Sequence, residues 1–110
     1  MEQKTVINLG KQFGRYPAGR YLSDGPFSGQ HFREKFLLPA LRSNIETIEI
    51  ELDDARGLAS SFLEEAFGGL VREGFPPQQL INRLHFHTKD GSLVEEIHEY
   101  IRAQGQTEAH

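Results

Sequence analysis

The sequence predicts a two-layer α/β domain whose helices pack mainly on one face of the sheet. Residues 47–52 and 84–88 alternate apolar with polar side chains, as strands do, and apolar stripes at helical spacing follow each of them. Strands that alternate with helices favour parallel pairing through right-handed crossovers. A parallel strand covered on both faces is apolar throughout. The polar positions in these two strands therefore indicate that one face of the sheet is open.

The first half of the chain is predicted to contain one strand and one helix. The strand spans residues 5–9, and the glycine-rich, aromatic and basic segment 10–29 that follows contains a turn near Pro17. Ser28 is the predicted N-cap of the helix. We expect Pro39 to kink this helix or to end it. Its apolar face consists of Phe32, Phe36, Leu37, Ala40 and Leu41.

The second half is predicted to contain two strands and two main helices. The helix after strand 47–52 ends at Gly74, and Leu80 and Ile81 lie on a short helical turn before strand 84–88. Ser92 and Glu95 have the spacing of a capping box for the last helix, and we expect a frayed tail over about residues 105–110. The helix between the two strands carries a wide apolar stripe of Phe62, Leu63, Ala66, Phe67, Leu70 and Val71.

Length and composition predict one cytoplasmic domain spanning residues 1–110. The 110 residues include no cysteine, which excludes disulfides, thiolate metal ligands and a thiol nucleophile. The formal net charge of −4 argues against a general electrostatic grip on nucleic acid. No apolar run reaches the length of about 20 residues that a membrane-spanning helix needs. No motif indicates a cofactor.

The most informative segment is residues 48–63, where a strand, an acidic turn and two serines lead into a helix. Ser60 and Ser61 come at the predicted helix start, where unpaired N–H groups and the helix dipole favour negative charge. Asp53 and Asp54 lie in the turn just before them. This arrangement is suited to carrying or contacting a phosphate. We therefore predict that these four residues contact a partner or are phosphorylated.

This strand-turn-serine-helix unit resembles the STAS domain of sulphate transporters and anti-sigma-factor antagonists. The segments FSGQHFR (27–33) and SSFLEEAFGGL (60–70) resemble more specifically a stand-alone STAS-like family of unknown function. Ser60 matches the position of the phosphorylatable serine, whereas Ala59 and Phe62 stand where the classical motif has aspartate and glycine. For the fold, the resemblance implies a STAS-like domain with a mixed sheet.

For function, the resemblance implies a bacterial, non-enzymatic regulatory module that contacts a protein partner through the Ser60-Ser61 helix start. In classical relatives that partner is an ATP-binding serine kinase, so an ATPase- or kinase-type regulator is expected here. Ser61 with Glu64 also fits an ordinary capping box, which explains Ser61 without any partner. An acidic decoy protein of a mobile element is a further interpretation of the small size and negative charge.

An alternative function is a nucleotide- or anion-sensing domain. A second helix start at Ser28-Gly29 follows closely after three cations, and such a combination binds phosphate or carboxylate groups. The ordinary interpretation is a capped helix with solvated cations nearby. The candidate anion-binding residues are Lys11, Arg15, Arg20, Ser28 and Gly29.

His85 and His87 are weak candidates for metal ligands, because they share one face of a strand. If the two strands are neighbours, Glu49 and Glu51 lie on the same face. The same pattern fits cross-strand ion pairing on an exposed sheet. This acidic face is a second candidate contact surface, for a partner or for a second copy in a homodimer.

Overall fold

The computed structural model describes residues 3–108 as three strands and four principal helices. The strands are β1 (Lys4–Asn8), β2 (Thr47–Glu51) and β3 (Leu84–His87). The helices are α1 (29–42), α2 (60–72), α3 (Pro77–Arg83) and α4 (Gly91–Glu108). Both α1 and α2 contain one wider π-helical turn, at Arg33–Leu37 and Glu64–Gly68. Two short helical turns follow β1: Leu9–Phe13, which begins at the last residue of the predicted strand, and Leu22–Asp24, which lies within segment 10–29.

The sheet has the order β1-β2-β3, and both pairings are parallel. Ile7, Ile50 and Phe86 stand side by side in the register and face the helices, whereas Val6, Glu49 and His85 stand side by side on the other face. The exposed fraction is 52% for Val6 and 0% for Ile50. The α/β architecture with helices on one face is therefore confirmed. Within residues 3–108 the sheet is parallel throughout, rather than mixed.

The core lies between the inner face of the sheet and the helices. Phe62, Phe67 and Leu70 of α2 are fully buried, as the apolar stripe predicts. Phe32 of α1 contacts both phenylalanines, and its ring centroid lies 6.1 Å from that of Phe62. Ile97 of α4 is also fully buried. The core thus holds α1, α2 and α4 in fixed positions on the sheet.

The predicted helix caps are correct in one case and wrong in two. Ser28 caps α1, because its hydroxyl accepts a hydrogen bond from the His31 N–H. Ser61 does not cap α2, whose N-cap is Ala59 and has no side-chain hydrogen bond. Ser92 does not cap α4 either. Asp90 accepts hydrogen bonds there from both the backbone N–H and the hydroxyl of Ser92.

α1 and α4 both extend beyond the residues at which the sequence suggested an end, while a kink at Pro39 and fraying of the tail stay predictions. α1 continues past Pro39 to Arg42, and a π-helical turn precedes the proline. The wider turn relieves the clash between the proline ring and the carbonyl group four residues earlier. The last helix runs through Gly105 to Glu108, and residues 109–110 lie outside the described part of the chain. Over residues 3–108, no helix combines the length and the apolarity needed to cross a bilayer.

Candidate functional site

The carboxyl ends of the three parallel strands meet at one edge of the sheet, which we call the carboxyl edge. The segments that follow the strands (9–13, 52–59 and 88–90) form this edge. Gly10 brings the first two segments into backbone contact, since a Cβ atom at this position would lie only 2.6 Å from the Ala55 nitrogen. The Arg56 N–H also donates to the Arg15 carbonyl at 2.7 Å. Open α/β sheets bind ligands preferentially at this edge.

Asp53 and Asp54, the two acidic candidates, hold the segments of the carboxyl edge together. Asp53 accepts hydrogen bonds from the Thr88 hydroxyl at 2.6 Å and from the Lys89 N–H at 2.8 Å. The pKa of Asp53 is lowered mainly by the hydrogen bond from the Thr88 hydroxyl, and to a smaller extent by the hydrogen bond from the Lys89 N–H. Asp54 accepts a hydrogen bond from the Asn8 side-chain amide at 2.8 Å. Both carboxylates therefore have structural partners within the chain, although both side chains remain exposed.

Ser60 is the first residue of α2, and its side chain is exposed. Its hydroxyl donates a hydrogen bond to Glu96 Oε2 at 2.9 Å, and the Tyr100 hydroxyl donates to the same oxygen at 2.5 Å. The bond with Glu96 is the leading cause of the raised pKa of Tyr100. Ser60 thus lies at an exposed junction between α2 and α4.

Ser61 differs from its neighbour in both position and contacts. It is half-buried, and its hydroxyl makes no side-chain hydrogen bond in the part of the chain that the structure describes. The capping box with Glu64 does not form, because Glu64 instead accepts hydrogen bonds from Arg20 and Arg72. Of the two serines, only Ser60 presents an exposed hydroxyl with a charged neighbour.

The structure does not bring the five anion-binding candidates together. Arg20 forms ion pairs with Glu64 and Glu65. Ser28 is fully buried as the helix cap, and the Gly29 N–H donates to the Gly19 carbonyl at 3.0 Å. The N–H groups of Gly29 and His31 at this helix start therefore already have hydrogen-bond acceptors within the chain. Lys11 and Arg15 lie elsewhere, at the carboxyl edge, where they line a small cleft with Gly10, Asp54 and Arg56.

A network of three arginines and two glutamates, which no sequence pattern predicts, links α2 to the rest of the fold. Arg20, Arg33 and Arg72 contact the carboxylates of Glu64 and Glu65. Local sequence does not indicate this network, because its members lie in segment 10–29, on α1 and on α2 and meet only in the folded chain. Burial opposes ionisation of Glu64, but the hydrogen bonds from Arg72 and Arg20 outweigh it and lower the pKa of Glu64. Glu64 therefore remains ionised within the network.

The two histidines on the open face form separate contacts. His87 Nε2 lies 2.6 Å from Glu49 Oε1, and Lys4 Nζ lies 2.6 Å from the other oxygen of Glu49. His85 Nε2 instead lies 3.0 Å from the Asn82 carbonyl. The described residues include no group of three or more acidic or histidine side chains placed to hold a metal ion. The geometry therefore fits the cross-strand ion-pair interpretation of this face.

This architecture defines a small α/β domain with a serine exposed at the first turn of α2. A family model described as a STAS-like domain of unknown function (DUF4325) matches residues 28–93. The match covers more than half of the chain, and the chain therefore belongs to this STAS-like family. The matched region includes both serines and extends from the cap of α1 into the start of α4. No curated protein and no solved structure matches the chain significantly.

Proposed function

We propose that this STAS-like domain is a non-enzymatic regulatory module that binds a protein partner through the surface around Ser60. The observation that supports this most directly is the exposed Ser60 hydroxyl, which lies at a helix start without serving as the cap. A serine with no capping role is free to be modified or contacted without loss of the helix. An ATPase- or kinase-type regulator is the partner class that the family resemblance favours.

The charges around Ser60 supply a mechanism. A phosphate on Ser60 would gain from the helix dipole but would remove the hydroxyl that now donates to Glu96. It would also place the negative phosphate next to the negative Glu96 carboxylate. Phosphorylation is therefore expected to change the surface shared by α2 and α4, and with it the affinity for the partner.

Exposed aromatic side chains in segment 10–29 give further support for protein binding. Tyr16, Tyr21 and Phe27 have exposed fractions of 67%, 51% and 43%. Tyrosine and phenylalanine are enriched in the cores of protein interfaces. Arg15, next to Tyr16, is joined to the segment between β2 and α2 through the Arg56 N–H. Segment 10–29 therefore adjoins the segment that leads to Ser60.

The test is capture of a partner by the full-length chain and by single variants, from an extract of the source cells. We expect Ser60→Asp to reduce recovery of the specific partner about tenfold, corresponding to about 1.4 kcal/mol of binding free energy. The matched control is Asn44→Asp, which adds the same charge to an exposed position just before β2, at the opposite edge of the sheet. This control should leave recovery unchanged.

Folding of the variant is checked by circular dichroism before capture. The negative charge introduced by Ser60→Asp is stabilised by the helix dipole and is repelled by the Glu96 carboxylate. Each contribution is expected to change the free energy of unfolding by at most about 1 kcal/mol, and the two have opposite signs. Ser60→Asp should therefore fold normally. Equal recovery with the wild type, Ser60→Ala and Ser60→Asp would contradict the proposal and would place the working surface elsewhere, with segment 10–29 as the next candidate.

A further inference from the structure

A cleft lies at the carboxyl edge, between the segments that follow β2 and β3. Its volume is about 590 Å³, which is within the range of about 300–1,000 Å³ typical of small-molecule sites. It is lined on one side by Asp53, Arg56 and Leu58, and on the other by Lys89 and Leu93. None of the five candidate anion-binding residues predicted from the sequence lines this cleft.

The acidic and basic side chains of this cleft are used differently. Asp53 accepts hydrogen bonds from Thr88 and from the Lys89 N–H, and Asp90 accepts two from Ser92. By contrast, the Arg56 guanidinium and the Lys89 ammonium make no ion pair or side-chain hydrogen bond with any other described residue, although the charge of Lys89 contributes to the lowered pKa of Asp53. Asp53 and Asp90 therefore form hydrogen bonds within the chain, whereas Arg56 and Lys89 have no hydrogen-bonded side-chain partner in the described chain and can contact a ligand.

The lining also includes an apolar part. Leu58 and Leu93 face the cleft and are only partly buried. Arginine and lysine are the side chains that recognise phosphate, and neither Arg56 nor Lys89 has a hydrogen-bonded side-chain partner in the described chain that a phosphate would have to displace. An apolar group attached to the phosphate would cover the two leucines.

We propose that this cleft binds a small phosphate monoester that carries an apolar group. Arg56 and Lys89 hold the phosphate, and Leu58 and Leu93 contact the apolar part. Ser60 does not line the cleft as described, so this binding is independent of the proposed role of Ser60.

The test is a calorimetric titration of the full chain with phenyl phosphate at constant ionic strength. Arg56→Gln and Lys89→Gln should each weaken binding by about tenfold or more, because each removes a charge-assisted hydrogen bond. The matched control is Arg102→Gln, which removes one exposed positive charge on α4 and should leave binding unchanged. Amide NMR signals of residues 56–58 and 88–90 should shift during the titration.

Inorganic phosphate and Leu58→Ala test the apolar part of the site. Inorganic phosphate should bind more weakly than phenyl phosphate, and Leu58→Ala should weaken only phenyl phosphate. The proposal is overturned by undetectable binding of phenyl phosphate, or by wild-type affinity in both Arg56→Gln and Lys89→Gln. An equal loss in Arg102→Gln would also overturn it, since that result indicates unspecific attraction. Equal affinity for the two phosphates would overturn the assigned apolar contact.

Discussion

Gly69→Ala tests whether the buried arginine at the centre of the charge network is held in place. Arg33 and Glu65 have exposed fractions of only 7% and 6%. Arg33 Nη1 donates to the Glu65 backbone carbonyl and, at 2.9 Å, to Glu65 Oε2. A Cβ atom on Gly69 would lie 2.9 Å from Arg33 Cζ and 3.1 Å from its Cδ. An alanine at this position therefore has to displace the guanidinium.

Two opposing contributions set the expected size of the effect. In a helix interior, replacing glycine by alanine raises the free energy of unfolding by about 1 kcal/mol. Breaking a buried ion pair costs about 3–5 kcal/mol, because a charge is left without its partner. The expected net loss is thus about 2–4 kcal/mol. We expect a loss near the lower end of this range, because Glu65 retains its ion pairs with Arg72 at 3.2 Å and with Arg20 at 3.4 Å.

The assay is urea unfolding followed by circular dichroism. Gly91→Ala is the matched control, because nothing lies within 4 Å of a Cβ atom there, and we expect it to change stability by no more than about 0.5 kcal/mol. In an Arg33→Met background, the cost of Gly69→Ala should disappear. If Gly69→Ala is as stable as the wild type, the guanidinium is not held in the described position and the reasoning fails.

Two further predictions concern the core and the response to pH. Phe67→Ala should cost about 3–5 kcal/mol in urea unfolding, because the ring is fully buried and contacts Phe86 edge-on; a loss below about 1 kcal/mol would show that this packing is wrong. Burial, and then the charge of Arg102, lower the pKa of His98 below 6.5, although Glu95 opposes this. The unfolded chain therefore binds the proton more readily, so stability should fall as the pH drops through 6.5. Melting temperatures of the wild type and His98→Gln between about pH 8 and pH 5 should diverge below that value, and parallel curves would contradict this.

The alternation of apolar and polar side chains was sufficient to predict the open face of the sheet. Ile48, Ile50 and Leu52 are buried, while Glu49 and Glu51 remain partly exposed. The reason is geometric, since the side-chain period of two leaves only one register that buries all three apolar residues. The helices could be predicted for a similar reason, because a wide apolar stripe has one way to face the core.

The polar contacts could not be predicted in the same way. A run such as Ala59-Ser60-Ser61 contains several potential N-caps, and local sequence does not select among them. Here Ser60 contacts Glu96, which is 36 positions away in the sequence. Partners that distant are fixed by the packing of α4 on α2, which no local pattern specifies. The Arg33–Glu65 pair was missed for the same reason.

The junction formed by Ser60, Glu96 and Tyr100 connects the start of α2 to α4. Two hydroxyl groups donate to one oxygen of Glu96, so the carboxylate has a donor from α2 and a donor from its own helix. A phosphate on Ser60 would remove the donor from α2 and leave only Tyr100. The remaining bond to Glu96 lies entirely within α4, so the hydrogen bond from α2 to this carboxylate would be lost. A charge change at one exposed serine would thereby alter the surfaces of both helices, which is the property that a regulatory contact requires.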